Sequence, residues 1–224
     1  MEFDLHKIVN QKRSTTSGYH LLVGRGWRII GEQHKLHSPL AYSAFEFRCS
    51  IERALIELFV IIRGNQFSDA DIQALQSISR VRKAIYQACG GKEKYDRSTI
   101  FNRLYTNSIG LPPNLWISII DIPEMERNWS KLSEYCHKQL KPQSTWESLG
   151  DVWLLNGYEL LNDVEKYLWS ILVQSRIGWV HAQKIHSEER AAMNDFVNGK
   201  INQQELETRF RIMAPILRKR GKPS

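Results

Sequence analysis

Residues 41–63 read AYSAFEFRCSIERALIELFVIIR, and the spacing of their apolar side chains decides the fold class. At roughly 100° per residue, Phe45, Phe47, Cys49, Ile51, Leu55, Ile56, Leu58, Phe59 and Ile62 share one broad arc, the mark of a helix packed into a core. Arg48 and Glu52 fall inside that arc, whereas Glu46, Arg53 and Glu57 line the opposite side. A lone buried charge is strongly unfavourable. Two opposite charges four residues apart therefore either satisfy each other as an ion pair or form a polar pocket among packed helices.

The same period extends outward in both directions. Tyr19, Leu22, Val23, Gly26, Trp27 and Ile30 recur at helical spacing; the competing pattern is a hairpin of HLLV and WRII around Gly24-Arg25-Gly26, and the helix is the longer match. Ser68, followed by Asp69 and Asp71, opens a helix that runs to Gly90-Gly91, and a short helix is expected from Ser98 to Thr106. Residues 107–120 read as irregular or as a short helix begun by the prolines, with a strand possible at 115–120. Met125, Trp129, Leu132, Cys136 and Leu140 mark the next helix.

Ser144 and Glu147 have capping-box spacing and open a long helix to Val173, with Trp153, Leu154, Leu160, Leu161, Val164, Leu168, Ile171 and Leu172 inward and Asn156, Glu159, Asp163 and Lys166 outward. After a polar junction, Ser187 caps one helix, and Asn202 with Glu205 caps the last. The expectation is an all-α bundle of seven to nine helices. Residues 1–186 form the bundle domain, its core beginning near residue 18, and 187–224 a C-terminal helical hairpin with a basic tail.

Composition restricts the classes. With 224 residues, 42% hydrophobic and 25% charged, the chain can bury a full core. The most apolar window, residues 54–62, carries Glu57 and falls far short of the roughly 20 apolar residues of a membrane span. The amino terminus resembles no secretory signal, so the cytoplasm is the expected compartment. Cys49, Cys89 and Cys136 are odd in number and widely spaced, which suits reduced core thiols. The net charge of +7 is uneven: residues 111–174 carry −4, while 175–224 carry +5 from ten basic and five acidic side chains. Basic ends around an acidic middle favour a polyanionic partner, RNA before DNA.

No Gly-x-Ser-x-Gly, His-Glu-x-x-His, calcium-loop or dinucleotide motif is present, and no cofactor is implied. His34 and His37 stand a turn apart beside Glu32, but nothing supplies a third ligand, so no metal site is assigned. At the polar junction stands Arg176-Ile-Gly-Trp-Val-His181. An arginine and a histidine at a helix junction can cleave RNA without metal: the guanidinium holds the crowded phosphate and the imidazole moves a proton at the ribose 2′-hydroxyl or the leaving oxygen.

In this pair, and in the embedded polar residues of Tyr42-Ser-Ala-Phe-Glu-Phe-Arg-Cys-Ser-Ile-Glu-Arg-Ala-Leu, the chain resembles the HEPN superfamily (higher eukaryote and prokaryote nucleotide-binding domains) over residues 18–186. The resemblance implies an all-α core, a homodimer with its pockets near the interface, and RNA cleavage by Arg176 and His181, often in defence or toxin systems. Arg48 and Glu52 would then be polar support in the facing helix.

Two other readings use different residues. Arg80, Arg82 and Lys83 precede Gly90-Gly91, and Arg97, Asn102 and Arg103 share what looks like the open side of a short recognition helix, as in helix-turn-helix DNA binding. Alternatively, seven tryptophans suit a non-catalytic helical scaffold with a protein partner.

Overall fold

The computed structural model describes residues 16–64, 67–138 and 143–220, and of 137–138, 143–151 and 219–220 the backbone alone. Nine α-helices occur among the described residues: α1 Ser17–His34, α2 His37–Arg63, α3 Asp69–Ala74, α4 Ile78–Ala88, α5 Lys92–Ser108, α6 Ile122–Lys138, α7 Gln143–Leu172, α8 Ser187–Val197 and α9 Gln203–Arg220. Pro113–Leu115 and Ala182–Lys184 form single 3-10 turns. The all-α expectation holds, and residues 18–31 are helix, not hairpin. No helix among the described residues is long and apolar enough to cross a membrane.

The helices pack as two compact units, residues 1–57 with 121–173 and residues 58–120 with 174–224. The first boundary falls inside α2, and the expected division at residue 186 lies within the second unit, where α8 and α9 pack on α5.

In the first unit, α2 buries Phe47, Ile51 and Leu55 completely, each contributing about 1.5–3 kcal/mol over leaving it in water. The charges expected on its solvent side are used instead to dock α1. Glu57 accepts the Ser17 backbone N–H at 2.8 Å and the Ser17 hydroxyl at 2.6 Å, and Glu46 meets His20 Nδ1 at 2.7 Å. The Ser43 hydroxyl donates to the Gly24 carbonyl at 2.8 Å.

Helix α1 turns the expected way along the chain but not around its axis. Its buried residues are Ser17, Leu21, Gly24 and Gly31, so the apolar stripe of Tyr19, Leu22, Trp27 and Ile30 points outward. The reason is close approach. A Cβ on Gly24 would lie 2.5 Å from Phe47 Cδ1, and one on Gly31 would lie 2.1 Å from Tyr158 Oη and 2.7 Å from Pro39 Cβ. Only the face of small residues lets α2 and α7 come this near.

On α7, Trp153, Leu154, Leu161, Val164, Leu168 and Ile171 are buried while Asn156, Glu159, Asp163 and Lys166 are exposed, as its periodicity predicts. The capping box expected at Ser144 and Glu147, and the Leu140 position, lie outside the described side chains.

The second unit is organised by α5, which begins at Lys92, six residues before the expected start. Its Phe101 packs with Ile117, Val180, Phe196, Leu206, Phe210 and Leu217 in one apolar cluster. Its other buried face is polar: Ser98, Thr99, Asn102 and Thr106. These side chains tie down two extended segments. Thr106 Oγ1 accepts the Ile117 N–H and Asn102 Oδ1 accepts the Val180 N–H, both at 3.3 Å, while the Tyr95 hydroxyl donates to the Ile120 carbonyl at 2.9 Å.

Of the alternatives at 107–120, the prolines begin a 3-10 turn at Pro113–Leu115, and the possible strand at 115–120 amounts to one parallel bridge, Ile117 with Arg176. At the helix starts, Ser68 and Asp71 form a reciprocal capping box, and Asn202 and Glu205 exchange bonds of 2.9 and 2.7 Å. Helix α8 is preceded by His186 with no side-chain cap, because Ser187 is already its first helical residue.

Candidate functional site

The pair embedded in α2 is satisfied, and by more than itself. Arg48 Nε donates to Glu52 Oε1 at 3.3 Å, the indole N–H of Trp129 on α6 donates to the same oxygen at 2.7 Å, and the guanidinium lies 4.3 Å over the Trp129 ring. Both charges sit at the edge of the apolar arc, half-buried, so the indole completes an ion pair whose outer side stays wet.

Cys49 and Cys136 stand beside the pair. Burial, reinforced by Glu52 and Glu46, pushes the Cys49 thiol up to about 11. Burial also raises Cys136, against the pull of the Arg48 charge. Both are protonated at neutral pH and are poor nucleophiles.

A second charged cluster joins α1 to α7, and sequence reasoning missed it. Arg28 Nε donates to Glu165 Oε2 at 2.6 Å, Arg25 Nε lies 3.3 Å from Glu165 Oε1, and Arg28 Nη1 donates to Glu32 at 2.5 Å. Arg25 also covers the Trp169 ring at 4.7 Å. The available signal was Glu165 itself, one residue past Val164 and three before Leu168 on the buried face of α7.

Nearby, Glu32, Lys35, Tyr158, Glu159 and Asn162 line a recess of about 290 Å³. Its Tyr158 hydroxyl donates to the Leu36 carbonyl at 2.5 Å, and burial with the Glu32 charge pushes that phenol up to about 12. It is a fixed donor. His34 is exposed and His37 stacks on Trp153 at 5.8 Å; no group of three or more metal-ligating side chains occurs among the described residues.

Arg176 and His181 belong to the second unit, whereas Arg48 and Glu52 belong to the first. The Arg176 backbone is pinned: its N–H donates to the Trp116 carbonyl at 3.0 Å, and its carbonyl accepts the Ser118 N–H at 2.9 Å. The intervening residues hold this segment in place. A Cβ on Gly178 would sit 3.1 Å from Ile117, and Trp179 stacks on Tyr95 at 6.0 Å and 15°.

The Arg176 side chain is exposed. His181 is half-buried, precedes a 3-10 turn and has extended backbone. The two residues share no helix, and no hydrogen bond between their side chains is found among the described residues. The structure thus gives this segment a packing role and leaves the arginine facing solvent.

The other basic residues are dispersed over α4 and α5. Arg80 donates to Gln76 at 2.9 Å, Arg82 is half-buried and Lys83 is exposed. Arg97 donates to the Phe196 carbonyl at 3.1 Å and to Glu93 at 3.3 Å, so it serves the α5–α8 contact; Arg103 is exposed. Asn102, expected on the open side, is fully buried, because it holds the Val180 N–H.

The early start of α5 shortens its connection to α4 to Cys89, Gly90 and Gly91, a helix-turn-helix length. Its charges are of mixed sign: Lys92, Glu93, Lys94 and Arg103 are exposed, and half-buried Asp96 pairs with Lys92 at 2.6 Å.

Charge separates sharply between the units. Residues 58–120 and 174–224 hold 18 basic and 9 acidic side chains, net +9; residues 1–57 and 121–173 hold 13 basic and 15 acidic, net −2. Compared with family models, curated proteins and solved structures, the chain matches none.

Proposed function

We propose that the protein binds nucleic acid, RNA in the first place, through its second unit. The observation that carries this is the division of charge: one unit carries net +9 and the other net −2. A uniformly basic protein owes its charge to solubility as readily as to a ligand, but a one-sided excess has the form of an electrostatic footprint for a polyanion. RNA is preferred to duplex DNA because α5 carries Glu93 and Asp96 near its start, the end by which a recognition helix enters a major groove between two phosphate backbones.

Fluorescence anisotropy with a labelled single-stranded RNA and a duplex DNA of equal length tests the reading. RNA binds more tightly, affinity falls linearly with the logarithm of salt concentration, and Arg82→Glu/Lys83→Glu weakens it. Absence of binding to either probe at low salt overturns it.

Metal-independent RNA cleavage by Arg176 and His181, as in a defence or toxin ribonuclease, is the catalytic form of the same proposal. Its support is that both residues lie in the basic unit and that Arg176 is exposed on an anchored segment. Cleavage in the presence of chelator, lost in Arg176→Ala and in His181→Ala, is the result it requires. Intact RNA bound by all three proteins leaves a binding module without that chemistry.

A further inference from the structure

Two opposite charges of the first unit line one recess without meeting. The recess, of about 290 Å³, lies where the end of α1 meets α7. Lys35 lines it from the left-handed position that closes α1, at φ 51°, and Glu159 lines it from α7. Both are exposed, and neither makes an ion pair or a side-chain hydrogen bond among the described residues. Glu32, the second carboxylate of the lining, is already neutralised by Arg28.

The other lining groups describe what fits between those charges. Leu154, Leu155 and the ring of Tyr158 supply an apolar wall. Asn162, one turn further along α7, is half-buried, and its amide offers a donor and an acceptor that have no partner among the described residues. The Tyr158 hydroxyl donates to the Leu36 carbonyl at 2.5 Å, so a ligand meets it as an acceptor only. That bond, together with the Leu36 N–H donating to the Gly31 carbonyl at 2.9 Å, fixes the backbone that carries Lys35.

We infer that the recess binds a free α-amino acid with an aliphatic side chain, its carboxylate on Lys35, its ammonium on Glu159 and its side chain against Leu154, Leu155 and the Tyr158 ring. A ligand of a single charge would pair with one of the two groups and leave the other alone; a zwitterion pairs with both. An ammonium has three N–H donors, and Tyr158 Oη and the Asn162 carbonyl oxygen are acceptors for those that Glu159 leaves over. Size agrees as well. The recess stands at the lower end of the roughly 300–1,000 Å³ of ligand pockets, which suits a molecule of about ten non-hydrogen atoms.

Isothermal titration calorimetry of the full chain with L-leucine tests the inference. Two half-ligands accompany it: 4-methylpentanoate, which lacks the ammonium, and 3-methylbutylamine, which lacks the carboxylate. Leucine is expected to bind once per chain with a Kd of about 100 µM, and each half-ligand at least tenfold more weakly. Glu159→Gln and Lys35→Met should each weaken leucine binding at least tenfold while thermal melting is unchanged, since both side chains are exposed. No heat of binding from leucine up to about 10 mM overturns the inference, and so does a half-ligand that binds as tightly as leucine. Leucine binding indifferent to either variant equally overturns it. The recess belongs to the first unit, so the outcome is independent of whether the second unit binds RNA.

Discussion

Glu165 of α7 holds Arg28 of α1 at 2.6 Å, across 137 residues of sequence, and both side chains are nearly buried. The contact fixes the rotation of α1 that sends its glycine face inward.

Breaking this pair from one side leaves a desolvated charge. Glu165→Leu is expected to lower stability by about 2–4 kcal/mol, because Arg28 keeps only the exposed Glu32 as a partner, and adding Arg28→Met should recover much of that loss. Urea unfolding of the single and double variants measures the coupling; additive losses would refute it.

Gly31→Ala places a methyl group where Tyr158 Oη and Pro39 stand. The gain in helix propensity is outweighed by overpacking, for a net loss of about 1–3 kcal/mol. Gly18→Ala, whose Cβ meets nothing within 4 Å, should change the melting temperature little. Equal melting of both variants would contradict the close approach.

Asp71 sets an acid dependence in the second unit. Burial by itself would raise its carboxyl, but the Ser68 backbone N–H at 2.9 Å and the Arg63 guanidinium at 2.6 Å outweigh it and hold the group below its usual 3.8. A depressed folded-state value means that its stabilisation is complete above about pH 4 and is lost as pH falls through the folded value. Chemical denaturation from pH 6 to pH 2.5 should therefore show a steeper decline for wild type than for Asp71→Asn.

The thiols give a readout of packing. Burial pushes Cys89 up to about 12, and burial with neighbouring carboxylates pushes Cys49 to about 11. At pH 8 both should alkylate with iodoacetamide at least tenfold more slowly in the native protein than in 6 M guanidinium, followed by mass spectrometry. Equal rates would show that these sites open freely.

Much of the candidate site was illegible for the same reason that the helices were legible. Arg176 and His181 stand five residues apart in a polar junction between helices, where sequence leaves the backbone path open. Yet Thr106 and Asn102 of α5 capture the neighbouring backbone and keep the segment extended. Glu165 escaped notice because one acidic residue next to Val164 does not disturb an otherwise clear amphipathic period. Asn102 looked outward because a helical projection cannot tell a solvated amide from one that holds a distant N–H.

Sequence by itself determined the helical class, the extent of α7, the end of α2 though not its start at His37, and the presence of an arginine and a glutamate within the apolar arc of α2. Those properties are local: a period of 3.6 residues needs no knowledge of what lies across the core. Only tertiary structure decided which side of α1 is buried, who partners Glu52 and Glu165, and that the excess positive charge gathers in one unit. Each depends on chain segments far apart in sequence, and on the steric fact that α1 approaches Phe47 and Tyr158 closely only where it has no side chain.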